Sequence, residues 1–329
     1  MDEGRNVDAI DLLRAANALA PSPELEKTLV RARHLAFEEL EGEVGVAQWP
    51  PSYPDLTPDV AGLPEVDSSE LTTEALGSAL VNHGALIVRN LVPEGAVAPL
   101  VEGIDRAFDA YDEWFESGDR EYTTEWFSDF KPEGAFHGQM VPKGWVREGG
   151  GVYTADSPRM VYQVTEAFEA ANLRDVLTGY MGERPALSVK KNTLRRVPTD
   201  MKAADWHQDG AFLGEGIRSV NVWLPLTRCG GDAPTAGLDL VPARMDRVLE
   251  TGTEGAWFDW SVGPGVVERV SQDAKVIRPE FAAGDALLFD DLFLHRTGVA
   301  ESMEFERYAV ESWFFAPSVY PDKQIPLVF

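Results

Sequence analysis

The chain has 329 residues, 44% of them hydrophobic, and its 55 acidic and 29 basic residues give a formal net charge of −26. This composition indicates a folded globular protein that is large enough to bury a core, not a disordered chain. The strong negative charge disfavours phosphate backbones and anionic membrane surfaces, so neither nucleic acid nor membrane is expected as a partner.

The N-terminal region predicts a helical extension and a linker. Apolar residues at helical spacing indicate two helices over residues 8–42, interrupted at Pro21, with Ser22 as the cap of the second helix. Residues 43–68 are rich in proline and acidic residues, which is typical of a linker or surface strap. We therefore expect an extension over residues 1–68 and one main domain over residues 69–329.

The cysteine content and the hydropathy of the chain bear on its location. Cys229 is the only cysteine, so no disulfide forms within the chain, which fits a reducing compartment. The sequence opens without a basic segment followed by an apolar run, and no stretch approaches the roughly 18 apolar residues of a membrane span. We expect a cytoplasmic protein, either a monomer or a homodimer.

The next part of the chain predicts a helix over Leu71–Asn82, a buried strand over residues 84–89, and a helix with apolar positions from Val97 to Tyr111. Residues 118–160 have no clean period and are rich in aromatic residues and glycine. A loop of this length inside a compact domain is usually functional or disordered. Its aromatic residues favour an ordered lid or pocket wall, and the alternative is an excursion that packs into the core.

From Leu187 onward the sequence changes to short β-like runs separated by proline and glycine. The predicted strands are Leu187 to Leu194, Val220 to Leu224, Leu238 to Val241, Val266 to Val270, Ala286 to Phe289 and Tyr308 to Phe315. Many short strands with such punctuation are typical of a sandwich or a jelly roll.

A candidate metal site lies in this β-rich half. His207 and Asp209 are two residues apart, so on an extended segment their side chains point to the same side. His295 must be brought to them by the fold. Two imidazoles and one carboxylate can occupy one face of an octahedral metal ion and leave three positions open, as in non-heme Fe(II) oxygenases. An isolated His-x-Asp pair is otherwise a surface or core feature.

The other histidines carry weaker signals. His34 stands in a charged helix and His83 before a strand, so both are expected to be structural. His137 lies in the predicted lid and is a minor candidate for substrate contact. Arg307, at the start of the last predicted strand, is a candidate anchor for a carboxylate, because a guanidinium matches a carboxylate bidentately and keeps its charge when buried. The alternative for Arg307 is an ordinary salt bridge.

Several segments, taken in order, resemble the phytanoyl-CoA dioxygenase family of Fe(II)- and 2-oxoglutarate-dependent oxygenases. They are Trp206 to Gly210, Val220 to Leu226, Gly237 to Pro242, Gly284 to Asp290, and His295 to Gly298 followed by Arg307. The run Asn82 to Val92 is similar to that family's opening strand, so the resemblance covers residues 70–317 approximately. One departure is Pro242-Ala243-Arg244-Met245, where the family commonly has Pro-Gly-Ser-His, and substrate handling is expected to differ there.

The resemblance implies a mainly β fold with flanking helices, a double-stranded β-helix (a cupin-like jelly roll). It implies that His207, Asp209 and His295 bind Fe(II) as the catalytic centre and that Arg307 binds the distal carboxylate of 2-oxoglutarate. Three further positions are implied near the cosubstrate or cavity, namely Thr297, one of Lys190, Lys191 and Asn192, and Trp223. The sequence does not choose among the three consecutive residues, for which a solvated strand face is the alternative, and Trp223 could equally be a packing residue.

The implied reaction oxidises an unactivated C–H bond of a small-molecule metabolite, consumes O2, and converts 2-oxoglutarate to succinate and CO2. Asp209 favours hydroxylation, or a variant such as desaturation, over halogenation. An apolar or amphiphilic substrate is expected from the aromatic residues. The alternatives are a metal-dependent cupin-type isomerase or oxidase that does not use 2-oxoglutarate, and a non-catalytic metabolite-binding homologue.

Overall fold

The structure is a computed structural model that describes residues 6–40, 48–299 and 302–329. Within these ranges the α-helices are α1 (Asn6–Leu19), α2 (Pro23–Leu35), α3 (Thr73–His83), α4 (Glu94–Ser117), α5 (Gly144–Glu148), α6 (Pro158–Ala170), α7 (Leu173–Met181), α8 (Gly210–Leu213) and α9 (Pro264–Val270). The strands are β1 (Glu65–Asp67), β2 (Ala85–Arg89), β3 (Gly151–Tyr153), β4 (Ala186–Val197), β5 (Ser219–Pro225), β6 (Gly237–Leu240), β7 (Ala286–Phe289), β8 (His295–Gly298), β9 (Arg307–Phe315) and β10 (Pro326–Val328).

The strands form a larger and a smaller sheet. The larger sheet has the order β1-β2-β7-β5-β9-β4-β10, with β3 paired to β4, and the smaller sheet is β6-β8. Isolated bridges widen the smaller sheet on both sides, because His207 pairs with His295 and Leu240 pairs with Ile277. From β4 to β9 the chain passes back and forth between the two sheets, which is the connectivity of a jelly roll. The predicted fold class is confirmed.

The alternation of side chains along the central strands separates two apolar layers. On β9, Val310 and Phe314 face the layer beneath the helices, whereas Trp313 and Phe315 face the layer between the sheets. The first layer packs α3, α4, α6 and α7 onto the outer face of the larger sheet. The second layer forms the floor of the space in which the candidate metal ligands lie.

The N-terminal helices pack against the main domain. Ser22 caps α2 by accepting a hydrogen bond from the Leu25 amide, as predicted. The buried side chains of Ile10 and Leu29 form a small cluster with Val328 of β10. Residues 1–5 and 41–47 lie outside the described residues. They include the predicted end of the second helix and the predicted start of the linker. Residues 65–67 of the predicted linker form β1, which pairs with β2 in parallel.

One region differs from the expectation, and another follows in part the alternative that the sequence left open. Val266–Val270 was expected to be a strand and is the helix α9, which has Pro264 in its first turn. A five-residue apolar run does not distinguish a strand from a buried helix, and proline is well suited to the first helical turn. Part of the segment over residues 118–160 belongs to the core, because Phe127 and Val152 are buried in the main apolar layer. No described helix is long and apolar enough to cross a membrane.

Candidate metal centre

The fold brings His207, Asp209 and His295 together. One ligand atom from each of the three side chains lies within 4.8 Å of the others. His207 reaches the site from the edge of the smaller sheet, where it pairs with His295 of β8, and the two imidazole centroids are 4.4 Å apart. The Nε2 atom of His295 is 3.7 Å from Oδ2 of Asp209. This arrangement matches the facial set of two histidines and one carboxylate.

Backbone carbonyls orient both imidazoles. Nδ1 of His207 lies 3.0 Å from the carbonyl oxygen of Asp205, and Nδ1 of His295 lies 3.0 Å from that of Phe293. Because a carbonyl oxygen only accepts, Nδ1 carries the proton in each ring, and the Nε2 lone pair is free to bind a metal. Burial, with a further contribution from His207, lowers the pKa of His295 to about 4, so its ring is neutral at neutral pH.

Asp209 is held by Lys191, whose Nζ donates to Oδ1 over 2.8 Å. This contact leaves Oδ2, the oxygen nearer to His295, available to a metal. Burial acts to raise the pKa of Asp209, but Lys191 and the two imidazoles outweigh it, so the pKa lies below its usual range. The backbone of Asp209 is helical and caps α8. The prediction of one extended segment from His207 to Asp209 was therefore wrong at Asp209, because the chain already turns there.

The residues around the two ligands fix their backbone. A Cβ atom on Gly210 would lie 2.9 Å from Oδ2 and 3.2 Å from the backbone oxygen of Asp291, so a larger residue there would have to displace its neighbours. The fully buried Gln208 donates to the carbonyl of Leu292 over 2.5 Å and accepts from the amide of Leu249 over 2.7 Å. Gln208 thus ties the motif to the segment just before β8 and to the loop after β6. Sequence reasoning gave Gln208 no role, although its position between two ligands was a signal.

Arg307 lies in the same interior and is 2% exposed. Its Nη1 donates to the carbonyl of Gly237 on β6 over 3.2 Å, and its guanidinium lies 5.3 Å from the ring centroid of Trp223. Among the described residues no carboxylate forms an ion pair with it, and its buried Nε has no partner. The alternative of an ordinary salt bridge is therefore not observed. A buried, unpaired guanidinium is costly unless an anion joins it.

The structure separates the remaining cosubstrate candidates. Trp223 lies on the inner face of β5, and its buried Nε1 donor has no partner among the described residues. Thr297 is two residues from His295 on β8, so both side chains share one face. Lys190 donates to the carbonyl of Lys323 in an exposed hydrogen bond. Asn192 is buried, and it accepts hydrogen bonds from two hydroxyl groups. Of the three consecutive residues, Lys191 is the one that contacts the triad.

An exposed group of aromatic side chains, here called the aromatic rim, lies beside His207. Its members are Phe212, Trp257, Phe258 and Trp260. Trp260 approaches His207 edge-on with ring centroids 5.8 Å apart, and it stacks on Phe258 at 5.2 Å. Phe212 carries the ammonium group of Lys191 on its face, 4.0 Å from the centroid. Sequence reasoning missed the rim, because Trp257 to Trp260 lie in a loop without periodicity.

The loop that departs from the family pattern has a structural role. Arg244 forms an ion pair with the buried Asp290 and donates to the carbonyl of Leu80 over 3.2 Å. These contacts join the end of β6 to the end of β7 and to α3. The loop that continues from Arg244 carries most of the aromatic rim, so this departure from the family pattern lies next to the rim.

No protein-family model and no curated protein matches the chain. Solved structures do match. EctD from S. alaskensis, crystallised with 2-oxoglutarate and 5-hydroxyectoine, superposes with a TM-score of 0.50 at 16% identity over 81% of this chain and 87% of its own. SnoK, a non-heme alpha ketoglutarate dependent carbocyclase from nogalamycin biosynthesis, gives 0.47 at 16% identity over 77% and 87%. AviO1 from Streptomyces viridochromogenes Tue57 gives 0.46 at 16% over 76% and 98%. The match to EctD shows a shared fold.

Proposed function

We propose that the protein is an Fe(II)- and 2-oxoglutarate-dependent dioxygenase that hydroxylates, or otherwise oxidises, an unactivated C–H bond of a small molecule. The observation that carries this proposal is the presence, in the same interior as the triad, of Arg307, a buried cation that forms no ion pair with a carboxylate of the described residues. EctD, which shares the fold, was crystallised with 2-oxoglutarate. A cupin-type isomerase or oxidase that does not use 2-oxoglutarate does not require such an arginine. A non-catalytic binding protein does not require an intact set of metal ligands.

In this proposal His207, Asp209 and His295 would hold Fe(II) through two Nε2 atoms and Oδ2. When bound, the metal and 2-oxoglutarate would supply the oxidation chemistry with O2, in which 2-oxoglutarate is converted to succinate and CO2. Arg307 binds the distal carboxylate, and the unpaired donors at Arg307 Nε and Trp223 Nε1 fit an anionic ligand between the sheets. Thr297 is a further candidate on this side. Lys191 keeps Asp209 ionised and oriented.

We propose a small amphiphilic substrate whose apolar part rests on the aromatic rim beside His207. Aromatic faces give a substrate a large contact area at low entropic cost, and they exclude water from the reacting centre. The exposed part of residues 118–160, with His137, remains a proposed lid. We also propose a cytoplasmic location, which fits the single cysteine, and a monomer or homodimer. The net negative charge argues against a nucleic-acid or membrane partner.

Succinate release tests the proposal. Purified protein with Fe(II), 2-oxoglutarate and O2 is supplied with a panel of amphiphilic metabolites, and the 2-oxoglutarate requirement is compared between wild type and Arg307→Ala. Losing charge-assisted hydrogen bonds to the cosubstrate should raise that requirement about 10- to 100-fold. Arg307→Lys should give an intermediate value. Arg228→Ala, which removes an exposed arginine, is the matched control. An unchanged requirement in Arg307→Ala contradicts the proposal.

A further inference from the structure

Glu311 is a second charged group on the inner face of β9. It is four residues from Arg307 on a strand whose side chains alternate, so it faces the same interior. In the register of the larger sheet it lies opposite Trp223 of β5 on one side and Thr193 of β4 on the other. Its charge acts on both His295 and Arg307. Glu311 therefore lies close to both the candidate metal centre and the candidate cosubstrate anchor.

The two carboxylate oxygens of Glu311 differ. Oε2 accepts hydrogen bonds from the Thr193 hydroxyl over 2.8 Å and from Arg195 Nη2 over 2.9 Å. Oε1 accepts none from the described residues. The side chain is 26% exposed, although Val310 and Ser312 beside it are fully buried. Glu311 lies in the middle of a central strand and is nevertheless accessible. Its Oε1 atom therefore borders open space inside the jelly roll.

The charge state of Glu311 suits it to bind a donor. Burial acts to raise its pKa, but Arg195, the Thr193 hydroxyl and Arg307 outweigh burial, so the pKa lies below its usual range and the group is an anion at neutral pH. Arg195 is less available, because Nη1 donates to the carbonyl of Gly149 over 3.3 Å and Nη2 donates to Glu311. Its Nε has no partner among the described residues, but it is buried. The unpaired atom of this pair that a ligand can reach is therefore the acceptor Oε1.

We propose that Glu311 is the polar anchor of the substrate and that the substrate carries a protonated amine or a hydroxyl group that donates to Oε1. Thr193 and Arg195 are positioning residues that hold the carboxylate. This inference rests on the proposed function and narrows its substrate class to amphiphiles with a hydrogen-bond donor, as opposed to those with an anionic head. An ionised carboxylate accepts from an ammonium group more strongly than from a hydroxyl, and it repels a carboxylate.

The test uses three probes of equal chain length: hexylamine, hexanol and hexanoate. Each is titrated calorimetrically at neutral pH into anaerobic protein loaded with Fe(II) and 2-oxoglutarate. Wild type should bind hexylamine most tightly and hexanoate most weakly. Glu311→Gln should weaken hexylamine binding about 10-fold or more, because the partner loses its charge. Glu306→Gln, an exposed change just before the same strand, should leave hexylamine binding at the wild-type value.

Tightest binding of hexanoate, no preference, or no detectable binding of hexylamine overturns the inference. So does an equal loss in Glu311→Gln and Glu306→Gln. Should Glu311→Gln not fold, Glu311→Asp, which withdraws the oxygen by one methylene, replaces it. The same samples report cosubstrate binding through the weak visible band of the Fe(II) chelate. Its absence in wild type overturns the proposed function, whereas a normal band with the wrong ranking overturns the Glu311 inference alone.

Discussion

Burial sets the protonation of the acidic side chains that flank the candidate metal centre. Asp290 and Asp291 follow β7 directly, and burial raises the pKa of both. Asp290 has Arg244 as a counter-ion. Asp291 has no such partner among the described residues, and it accepts a hydrogen bond from the Ser219 hydroxyl over 2.8 Å. Its pKa is raised to about 7, first by burial and then by Asp290.

Asp291 should make the stability of the metal-free protein depend on pH. Because its folded pKa lies above the ordinary value of a carboxyl group, its contribution is complete in acid and is lost as the pH rises through about 7. Asp291→Asn should remove this loss, so the variant should gain on the order of 1–3 kcal/mol relative to wild type between about pH 5 and about pH 8. Urea unfolding at both values measures the gain.

The exposed change Asp322→Asn is the control for this measurement and should give the same difference from wild type at both pH values. A difference between Asp291→Asn and wild type that does not change with pH would contradict the account, because it would mean that Asp291 is ionised at no unusual cost in the folded protein.

Residue spacing predicted part of the site. The segments that hold His207, Asp209, His295 and Arg307 follow the order expected from the family resemblance. The fold brings these residues into one interior. The choice of Lys191 over its neighbours required the structure, because the pairing of β4 with β9 shifts between Leu187 and Asn192 and turns consecutive side chains in different directions. Glu311 was accessible to sequence reasoning, since residues 307 and 311 share one face of a strand.

Among the elements, the segment over residues 118–160 contains a buried cation that links several of its parts. Lys143 Nζ lies 2.5 Å from both Asp129 and Asp156, and Asp156 is 1% exposed. The ammonium group also lies over the rings of Trp114 and Phe127. This cluster ties the segment to the end of α4 and to the start of α6. The ordered part of the proposed lid thus has a defined anchor.

Lys143→Ala should destabilise this segment severely. It leaves the buried carboxylate of Asp156 without a counter-ion, and removing one partner of a buried pair costs about 3–5 kcal/mol. Chemical unfolding should show the loss, and limited proteolysis should cut first within residues 118–160. Lys131→Ala, which removes an exposed lysine in the same segment, should change neither. Equal behaviour of the two variants would contradict the assigned role of Lys143.

The helices and strands show how much of the fold hydrophobic periodicity can predict. Strands β5, β7 and β9 were predicted, because apolar runs of strand length stood between turn residues. The amphipathic helices α6 and α7 had no prediction, although they pack on the larger sheet beside α4 and α3. The smaller sheet was the hardest part, since His207 and Ile277 join it through single bridges. Such pairing depends on the partner strand and leaves no local pattern.

The charge of the whole molecule should make its stability depend on salt. With 55 acidic and 29 basic residues, like charges repel across the surface of the compact state. Raising KCl from about 0.1 M to about 1 M shortens the Debye length from about 10 Å to about 3 Å and screens that repulsion. The melting temperature should therefore rise. A constant or lower melting temperature would mean that favourable ion pairs outweigh the net repulsion.

At the same scale, the proposed function depends on one metal centre whose ligands the jelly roll brings together from distant parts of the chain. Anaerobic titration with Fe(II) and 2-oxoglutarate tests it most directly, since the chelate has a weak visible charge-transfer band. Wild type should show the band, and His207→Ala, Asp209→Ala and His295→Ala should lose it. His83→Ala, whose side chain contacts Asp55, should keep it. No band in wild type, or an undiminished band in Asp209→Ala, would contradict the account.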